Sequence, residues 1–260
     1  FKINDKIKNY SSILVENLES LGYIVNFQMI KMSDFGVPQN RKRFILFASK
    51  NPDDSKKFFR LLIEGKDKFL ASKKIALPVT ISEAIGDLNR KNGEVVSPDT
   101  KGFMNGIYGK TNSNYQKLMR KGIRKNNLPD SHRFAKHRES TIDLFTRLMK
   151  ASEKQLRITP EMKLVEGLKK RGVTPLKANS VCNTLTSIPD DYIHYSEPRI
   201  MTVREHARIQ SFPDDYCFKG PYTTGGERRK IDVPRYTQVA NAVPPLFAEQ
   251  VGSVIFSFQQ

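Results

Sequence analysis

The apolar positions at the start of the chain follow two rhythms. Ile7, Tyr10, Ile13, Leu14, Leu18 and Leu21 recur at i, i+3 and i+4, which predicts a helix capped by Asp5 and stopped by Gly22. From Tyr23 to Ile30 the period shortens to two, around Tyr23, Val25 and Phe27, which predicts a strand. Ser33 to Pro38 reads as a loop. The apolar run from Arg43 to Ala48 reads as a second strand, of the kind buried in an α/β sheet. Between Asn51 and Leu77 lysines dilute the pattern, and a surface excursion with one short helix is expected.

Further along, local signals replace long periodicity. Thr80-Ile81-Ser82-Glu83 is a capping box that opens a helix through Ala84 to Leu88. From Asn89 to Asn127 the pattern fades into Gly, Asn, Lys and Tyr, as at the start of a loop-rich second domain. Ser140 to Asp143 can cap a helix running to about Gln155, with Ile142, Phe145, Leu148 and Met149 on one face. Thr159-Pro160-Glu161 starts another, which Gly172 ends. Thr202 to Glu205 is a second capping box, closed by Phe212-Pro213-Asp214. After Pro245 a last amphipathic helix carries Leu246, Phe247, Gln250, Val251, Val254 and Ile255. No internal repeat is visible.

Charge narrows the choice of partner. Among 260 residues, 44 Lys and Arg stand against 27 Asp and Glu, a formal net charge of +17 that favours a polyanion. No basic amphipathic helix points to a membrane surface, and no apolar run approaches the roughly 20 residues of a span, so nucleic acid is the expected partner. The two cysteines, Cys182 and Cys217, form no CxxC pair, and the four histidines are scattered. Neither a disulfide framework nor a zinc site is expected, and both cysteines read as small packed residues in a reducing cytoplasm. The opening Phe1-Lys2-Ile3-Asn4-Asp5 is no signal peptide; its lack of Met suggests a processed or excerpted polypeptide.

Three clusters carry chemistry. In Gln39-Asn40-Arg41-Lys42-Arg43, alternation on an extended backbone projects Gln39, Arg41 and Arg43 to one side, where guanidinium forks suit phosphate or a base edge. In the run from Arg199 to Asp214, Arg204 and Arg208 stack one helical turn apart while Glu205 caps the start. In the run from Tyr236 to Pro245, two prolines delay the last helix and leave Gln238 and Asn241 on a constrained turn. Taken singly, each has a plainer reading: a solvated strand end, a salt-bridged surface helix, a helix entry.

Taken in order, the three resemble the closing motifs of the DNA cytosine-5 methyltransferase family. Gly36 to Arg43 is similar to its Gln-x-Arg-x-Arg motif, and Arg199 to Asp214 to its Arg-x-x-Thr-x-Arg-Glu-x-Ala-Arg-x-Gln-x-Phe-Pro-Asp motif. Gln238 to Pro245 is similar to its final Gln-x-x-Asn-Ala-Val-Pro-Pro motif. Pro78 to Leu88 matches the segment that commonly follows the first. The gap between the first two motifs suits a target-recognition domain.

The resemblance implies an α/β fold, the C-terminal part of a Rossmann-like methyltransferase domain that uses S-adenosyl-L-methionine, with a loop-rich recognition domain. Residues 1–88 would be catalytic-domain strands and helices, 89–198 the recognition domain, 199–235 an inter-domain segment, and 236–260 the closing motif and helix. Such enzymes flip the target cytosine out of the duplex. A cysteine thiolate then attacks C6, a glutamate assists at N3, and C5 receives the methyl group. By resemblance Arg41 and Arg43 would hold the flipped base, supported by Gln39. Asn241, Ala242 and Val243 would line the methionine side of the cofactor pocket, and Arg204, Glu205 and Arg208 would organise the domain junction.

The chain also departs from the family. No Pro-Cys nucleophile is present, since Cys182 follows Val181 and Cys217 follows Tyr216. The Glu-Asn-Val motif and the early Gly-rich cofactor loop are missing too. The expectation is therefore one subunit of a split enzyme, or the end of a longer chain, inactive without an N-terminal half. Exposed apolar surface is expected on the first strands and the last helix where that half would complete the sheet.

Double-stranded DNA is the implied partner. Lys110, Arg120, Lys121 and Arg124, with Lys117 and Lys125 and the interleaved Tyr108 and Tyr115, form one basic stretch; Arg133, Lys136 and Arg138 form another. Most would touch phosphates, which position a protein without specifying sequence. His132 and His137 read as surface or phosphate contacts rather than metal ligands. The setting implied is a bacterial restriction–modification system, cytoplasmic and nucleoid-associated. A non-catalytic DNA-binding descendant is the alternative, with the tRNA-modifying branch behind it.

Overall fold

The two apolar runs near the start pair with each other. In the computed structural model, which describes residues 2–3, 6–7, 9–124, 126–151, 155–167, 173–225, 227–228 and 231–259, the chain opens with the two-residue strands β1 (Lys2–Ile3) and β2 (Lys6–Ile7). Helix α1 (Tyr10–Ser20) follows, and an antiparallel hairpin joins β3 (Ile24–Lys31) to β4 (Lys42–Ser49), in register from Ile24 opposite Ser49 to Lys31 opposite Lys42. The predicted helix start is corrected: Ile7 lies in β2, and Asn9 caps α1 by accepting from the Ser12 amide. Asp5 lies outside the described residues. None of the residues of α1 is buried.

The lysine-rich excursion is a long helix, α2 (Pro52–Ser72), not a loop with a short one. Asn51 caps it, Pro52 opens it, and Asp53 and Asp54 sit in the first turn, where the helix dipole favours negative charge. Its buried Phe58, Phe59 and Leu62 pack on Ile30, Met32, Phe35 and Val37 below the hairpin, together with Phe247 from the last helix, α9 (Pro245–Ser257). Lysines at the intervening positions hid this stripe. Thr80 opens α3 (Ile81–Ile85) with both halves of the predicted capping box in place.

Beyond α3 the elements are short. β5 (Glu94–Val96) pairs antiparallel with β6 (Met104–Gly106), α4 (Asn114–Met119) is capped by Ser113, and α5 spans Glu139–Ala151. Helix α6 (Pro160–Val165) ends well before the predicted stop at Gly172, which lies outside the described residues. β7 (Thr174–Pro175) and β8 (Tyr192–Ile193) pair in parallel. Helix α7 (Val203–Ile209) has its predicted capping box, and α8 (Arg235–Asn241) precedes α9.

A core cluster gathers residues from far-separated stretches: Leu70 and Ile75, Ile81 to Leu88, Tyr115 and Met119, Leu176 to Tyr192, Met201, Ile209 and Leu246. Helix α7 runs through the interior with all seven residues buried, so the reading of it as a salt-bridged surface helix does not hold. The first strands and the last helix carry exposed apolar side chains, Phe27 and Met29 on β3, Phe44 on β4, and Ile255 and Phe256 on α9, but others, such as Val96, Leu164, Val165 and Ile231, are as exposed elsewhere in the chain. No described helix is long and apolar enough to cross a membrane.

Candidate functional site

The first cluster sits where the hairpin turns. A 3₁₀ turn over Met32–Phe35 ends at Gly36, whose φ of 82° is a conformation other residues resist. A Cβ there would also meet Leu70 Cδ2 at 2.7 Å, so that side chain would have to shift to admit one. The chain then runs beside residues 182–185. Cys182 N–H donates to Pro38 O (3.0 Å), and Asn40 N–H donates to Cys182 O (2.7 Å). This pairing buries Cys182, whose thiol pKa rises through burial alone. Cys217, by contrast, is exposed, so only one cysteine fits the packed reading.

Alternation then sorts the three side chains differently from the sequence expectation. Gln39 is completely buried: its Nε2 donates to Gln210 Oε1 at 2.5 Å, and its Oε1 accepts the Leu185 N–H at 3.0 Å. Arg41 is 5% exposed, yet its Nε has no hydrogen-bond partner. Burial, and then the nearby charge of Arg43, bring its pKa down to about 10. Arg43 is half-buried on β4 and donates from Nη1 to Lys42 O at 2.7 Å. The cluster thus holds one amide bonded at both ends and one sheltered guanidinium whose Nε is unsatisfied.

The second cluster is a buried ionic layer. Arg199 grips Glu205 through two bonds, Nη1 to Oε2 at 2.8 Å and Nη2 to Oε1 at 2.7 Å, and Glu205 also accepts the Thr202 N–H at 2.7 Å. Burial opposes charge on Glu205, but Arg199 outweighs it and holds the carboxyl well below the usual range. Arg208 donates to Asp214 through Nε at 2.5 Å and Nη2 at 2.6 Å, to both oxygens of Asp87 at 3.2 Å, and to Ala84 O at 2.9 Å. Arg204 spends its donors on Asp130, Pro213 O and Tyr216 O. Both guanidiniums are fully buried and none of their charge is left for a ligand.

Histidines line the same layer. His132 is fully buried rather than at the surface: its Nε2 donates to Leu88 O and its Nδ1 is hydrogen-bonded with Thr202 Oγ1, both at 2.8 Å. Burial outweighs the Leu88 bond, which favours the charged ring, and brings its pKa down to about 4. Burial also brings His194 down to about 3 and His206 to about 4. Half-buried His137 accepts the Ile200 N–H at 3.3 Å. Among the described residues no group of histidine, cysteine and acidic side chains could hold a metal ion.

The third cluster is partly helical. Gln238 lies within α8 rather than on a turn, and its Nε2 holds Lys219 O at 2.9 Å and Val233 O at 2.8 Å. Ala242 caps the helix and is half-buried, while Asn241 and Val243 are exposed, Val243 by 62%. This turn meets the first cluster through one residue. Gln210 accepts from Gln39 and donates from its own Nε2 to Ala242 O at 2.6 Å. Sequence reading gave Gln210 no role; its only signal was its place inside the second motif.

The basic candidates divide into two groups. Lys110, Lys121, Arg124, Lys136 and Arg138 are exposed, as is Lys117. Arg120 is tethered, donating to Gly109 O at 2.8 Å with its guanidinium 4.2 Å from the Tyr108 ring. Arg133 lies between Tyr222 (3.7 Å) and Phe103 (4.2 Å), and its Nε has no partner. Tyr115 is buried and donates to Arg208 O. Lys125 lies outside the described residues.

Comparison with known proteins gives this geometry a family. The chain is 27% identical over 252 residues to the type II methyltransferase M.DdeI of Desulfomicrobium norvegicum, a match covering 94% of this chain and 57% of that protein. It is 44% identical over 66 residues to the type II methyltransferase M.AquIB of a Picosynechococcus species, covering 25% of this chain and 48% of that one. A crystal structure described as a DNA modification methyltransferase encoded within a prophage (E. coli) shares the fold at a TM-score of 0.57 and 22% identity, covering 95% of this chain and 65% of that one. The chain therefore spans little more than half the length of M.DdeI. The family model for C-5 cytosine-specific DNA methylases matches residues 3–257, and with that match the chain belongs to the C-5 cytosine-specific DNA methylase family.

Proposed function

We propose that this chain supplies the recognition and closing parts of a DNA cytosine-5 methyltransferase of the restriction–modification type. It would act with an N-terminal half that carries the Pro-Cys nucleophile. The observation that carries the reading is the meeting of all three motifs at the chain Gln39–Gln210–Ala242, with sheltered Arg41 on one side and exposed Asn241 and Val243 on the other. The guanidinium of Arg41, with a donor unsatisfied inside the fold, suits the carbonyl edge of a flipped cytosine or an adjacent phosphate. Arg43 adds positive potential beside it.

The closing turn suits the methionine end of S-adenosylmethionine. An exposed amide at the last residue of α8 and an exposed apolar side chain on the turn after it have buried neighbours in Ala240 and Pro244. When bound, that cofactor supplies an electrophilic methyl group. In this reading the chain's own residues bind and orient, while the attacking thiolate and the glutamate come from the other half. Lys110, Lys121, Arg124, Lys136 and Arg138 would hold phosphates of the recognised duplex. Arg120 and Arg133, pre-set against aromatic rings, would reach DNA at less entropic cost. The apolar side chains on α1, β3, β4 and α9 would be covered by the N-terminal half.

Transfer of labelled methyl from S-adenosylmethionine to mixed-sequence duplex DNA tests the reading, with this chain alone and with the polypeptide encoded upstream. Transfer to C5 of cytosine only in the mixture supports it. Tight binding to one duplex sequence with no transfer in either sample would favour a non-catalytic DNA-binding role.

A further inference from the structure

Gln210 and Ser211 hold the closing turn from both ends. Gln210 is fully buried, and its amide is spent in two directions, toward Gln39 on the strand that leads to Arg41 and toward Ala242 O on the turn. Ser211, also buried, accepts the Leu246 N–H at 3.1 Å. Its φ of 65° is in the left-handed region, which a non-glycine residue occupies only when its surroundings hold it there. The four residues from Ala242 to Pro245 are therefore clamped between bonds from two adjacent side chains.

The link is directional because an amide is not symmetric. Gln210 must present Oε1 to Gln39, whose Nε2 donates, and Nε2 to Ala242, whose carbonyl accepts. Gln39 in turn is oriented by the Leu185 N–H at its Oε1. A shift of the strand bearing Arg41 is thus passed through two side-chain amides to the turn bearing Asn241 and Val243. No other hydrogen bond found among the described residues joins these two stretches directly.

We propose that Gln210 is a positioning residue that couples the base-holding strand to the cofactor-holding turn, so that filling either half-pocket favours filling the other. The proposal rests on the function proposed above. Coupling of this kind is reciprocal: whatever factor DNA adds to cofactor affinity, cofactor adds to DNA affinity.

The experiment uses the complete methyltransferase containing this chain and measures the affinity of S-adenosylhomocysteine by calorimetry, with and without the target duplex. The ratio of the two dissociation constants is the coupling factor. Gln210→Met keeps the side chain's approximate volume and removes both bonds. It should bring the factor close to one and weaken S-adenosylhomocysteine measured with DNA by roughly 5- to 150-fold, the usual span of such a coupling. Gln210→Glu keeps the bond from Gln39 but, when ionised, cannot donate to Ala242 O. Its coupling should be lost at high pH and return as pH falls and the carboxyl protonates, a profile that a merely structural role would not produce. That variant also decides the matter if Gln210→Met does not fold. A wild-type factor of one overturns the proposal, and so does a Gln210→Met factor equal to wild type or a pH-independent Gln210→Glu. Wild-type protein that binds neither ligand overturns the parent reading as well, whereas an active enzyme without coupling overturns this proposal alone.

Discussion

Replacing Arg208 by Met tests whether the buried ionic layer holds the fold together. The guanidinium makes two bonds to Asp214, two to Asp87 and one to Ala84 O, all inside the protein. Methionine fills much of the same space but leaves two carboxylates short of charge. Each keeps a longer ion pair, Asp87 with Arg120 at 3.4 Å and Asp214 with Arg204 at 3.8 Å. Removing one partner of a buried pair costs about 3–5 kcal/mol, and these residual pairs place the expected loss near the lower end, about 3 kcal/mol. Urea denaturation at about pH 7.5 reads the loss as a shift in midpoint with unchanged slope.

Two features separate this from a simple packing defect. In the variant Asp214 loses the charge that depresses its pKa, so acid can neutralise it, and the deficit should shrink as pH falls toward 5, about where a buried carboxyl begins to protonate. The double variant Arg208→Met/Asp214→Asn should lose less than the sum of the two single variants, because the uncompensated charge goes with its partner. A loss below about 1 kcal/mol, or strict additivity in the double variant, would refute the assignment of Arg208 as the charge that satisfies this layer.

Three further outcomes follow from the same geometry. His132, His194 and His206 have folded pKa values near 4, 3 and 4, below the ordinary 6.5, so the unfolded chain binds their protons first. Stability should be full above about pH 6.5 and fall as pH drops toward 4, by about 3 kcal/mol for each ring and on the order of 10 in sum; a melting temperature flat between pH 7 and 5 would contradict this. Gly36→Ala should cost about 1–3 kcal/mol in urea, through positive φ and contact with Leu70 and Leu246; an unchanged midpoint would show that the turn relaxes freely. Arg41→Met should leave the melting temperature unchanged or raise it by a few degrees, since it removes a sheltered cation, while weakening binding of target duplex at least about tenfold; loss of stability alone would place Arg41 in the fold rather than the site.

How much of this was legible in the sequence depended on the kind of signal. Both capping boxes and the hairpin strands were plain, because each is written within a few residues. Helix α2 was missed because lysines interrupt the Phe58, Phe59 and Leu62 face, so composition masked period. Helix α4 was missed because it has only six residues, and α8 because Gln238 and Asn241 look like turn residues until Tyr236 and Val239 are seen to be buried. The fate of Gln39 could not be read at all. Alternation predicts which side a residue faces, but the surface it meets, Leu185 and Gln210, lies 146 and 171 residues away.

The charges make the same point about local and non-local information. An excess of +17 in the sequence describes solvent-facing lysines and arginines such as Lys110, Lys121 and Arg138 as readily as it describes the interior. Yet the arginines most conspicuous in the second motif contribute nothing to that surface. Arg199, Arg204 and Arg208 are locked to Glu205, Asp130 and Asp214, and of these partners Asp130, 74 residues before Arg204, had no signal in the sequence. Among the motif arginines, Arg41 differs because the fold shelters it while leaving its Nε without a partner. A guanidinium that is sheltered and incompletely satisfied is costly to keep, and a ligand that completes it recovers that cost on binding. The same hairpin that shelters Arg41 sends Gln39 toward Gln210 and so toward the closing turn. The residue held ready for a ligand and the residue that senses its partner pocket are therefore two positions apart on one strand entry, facing different neighbours.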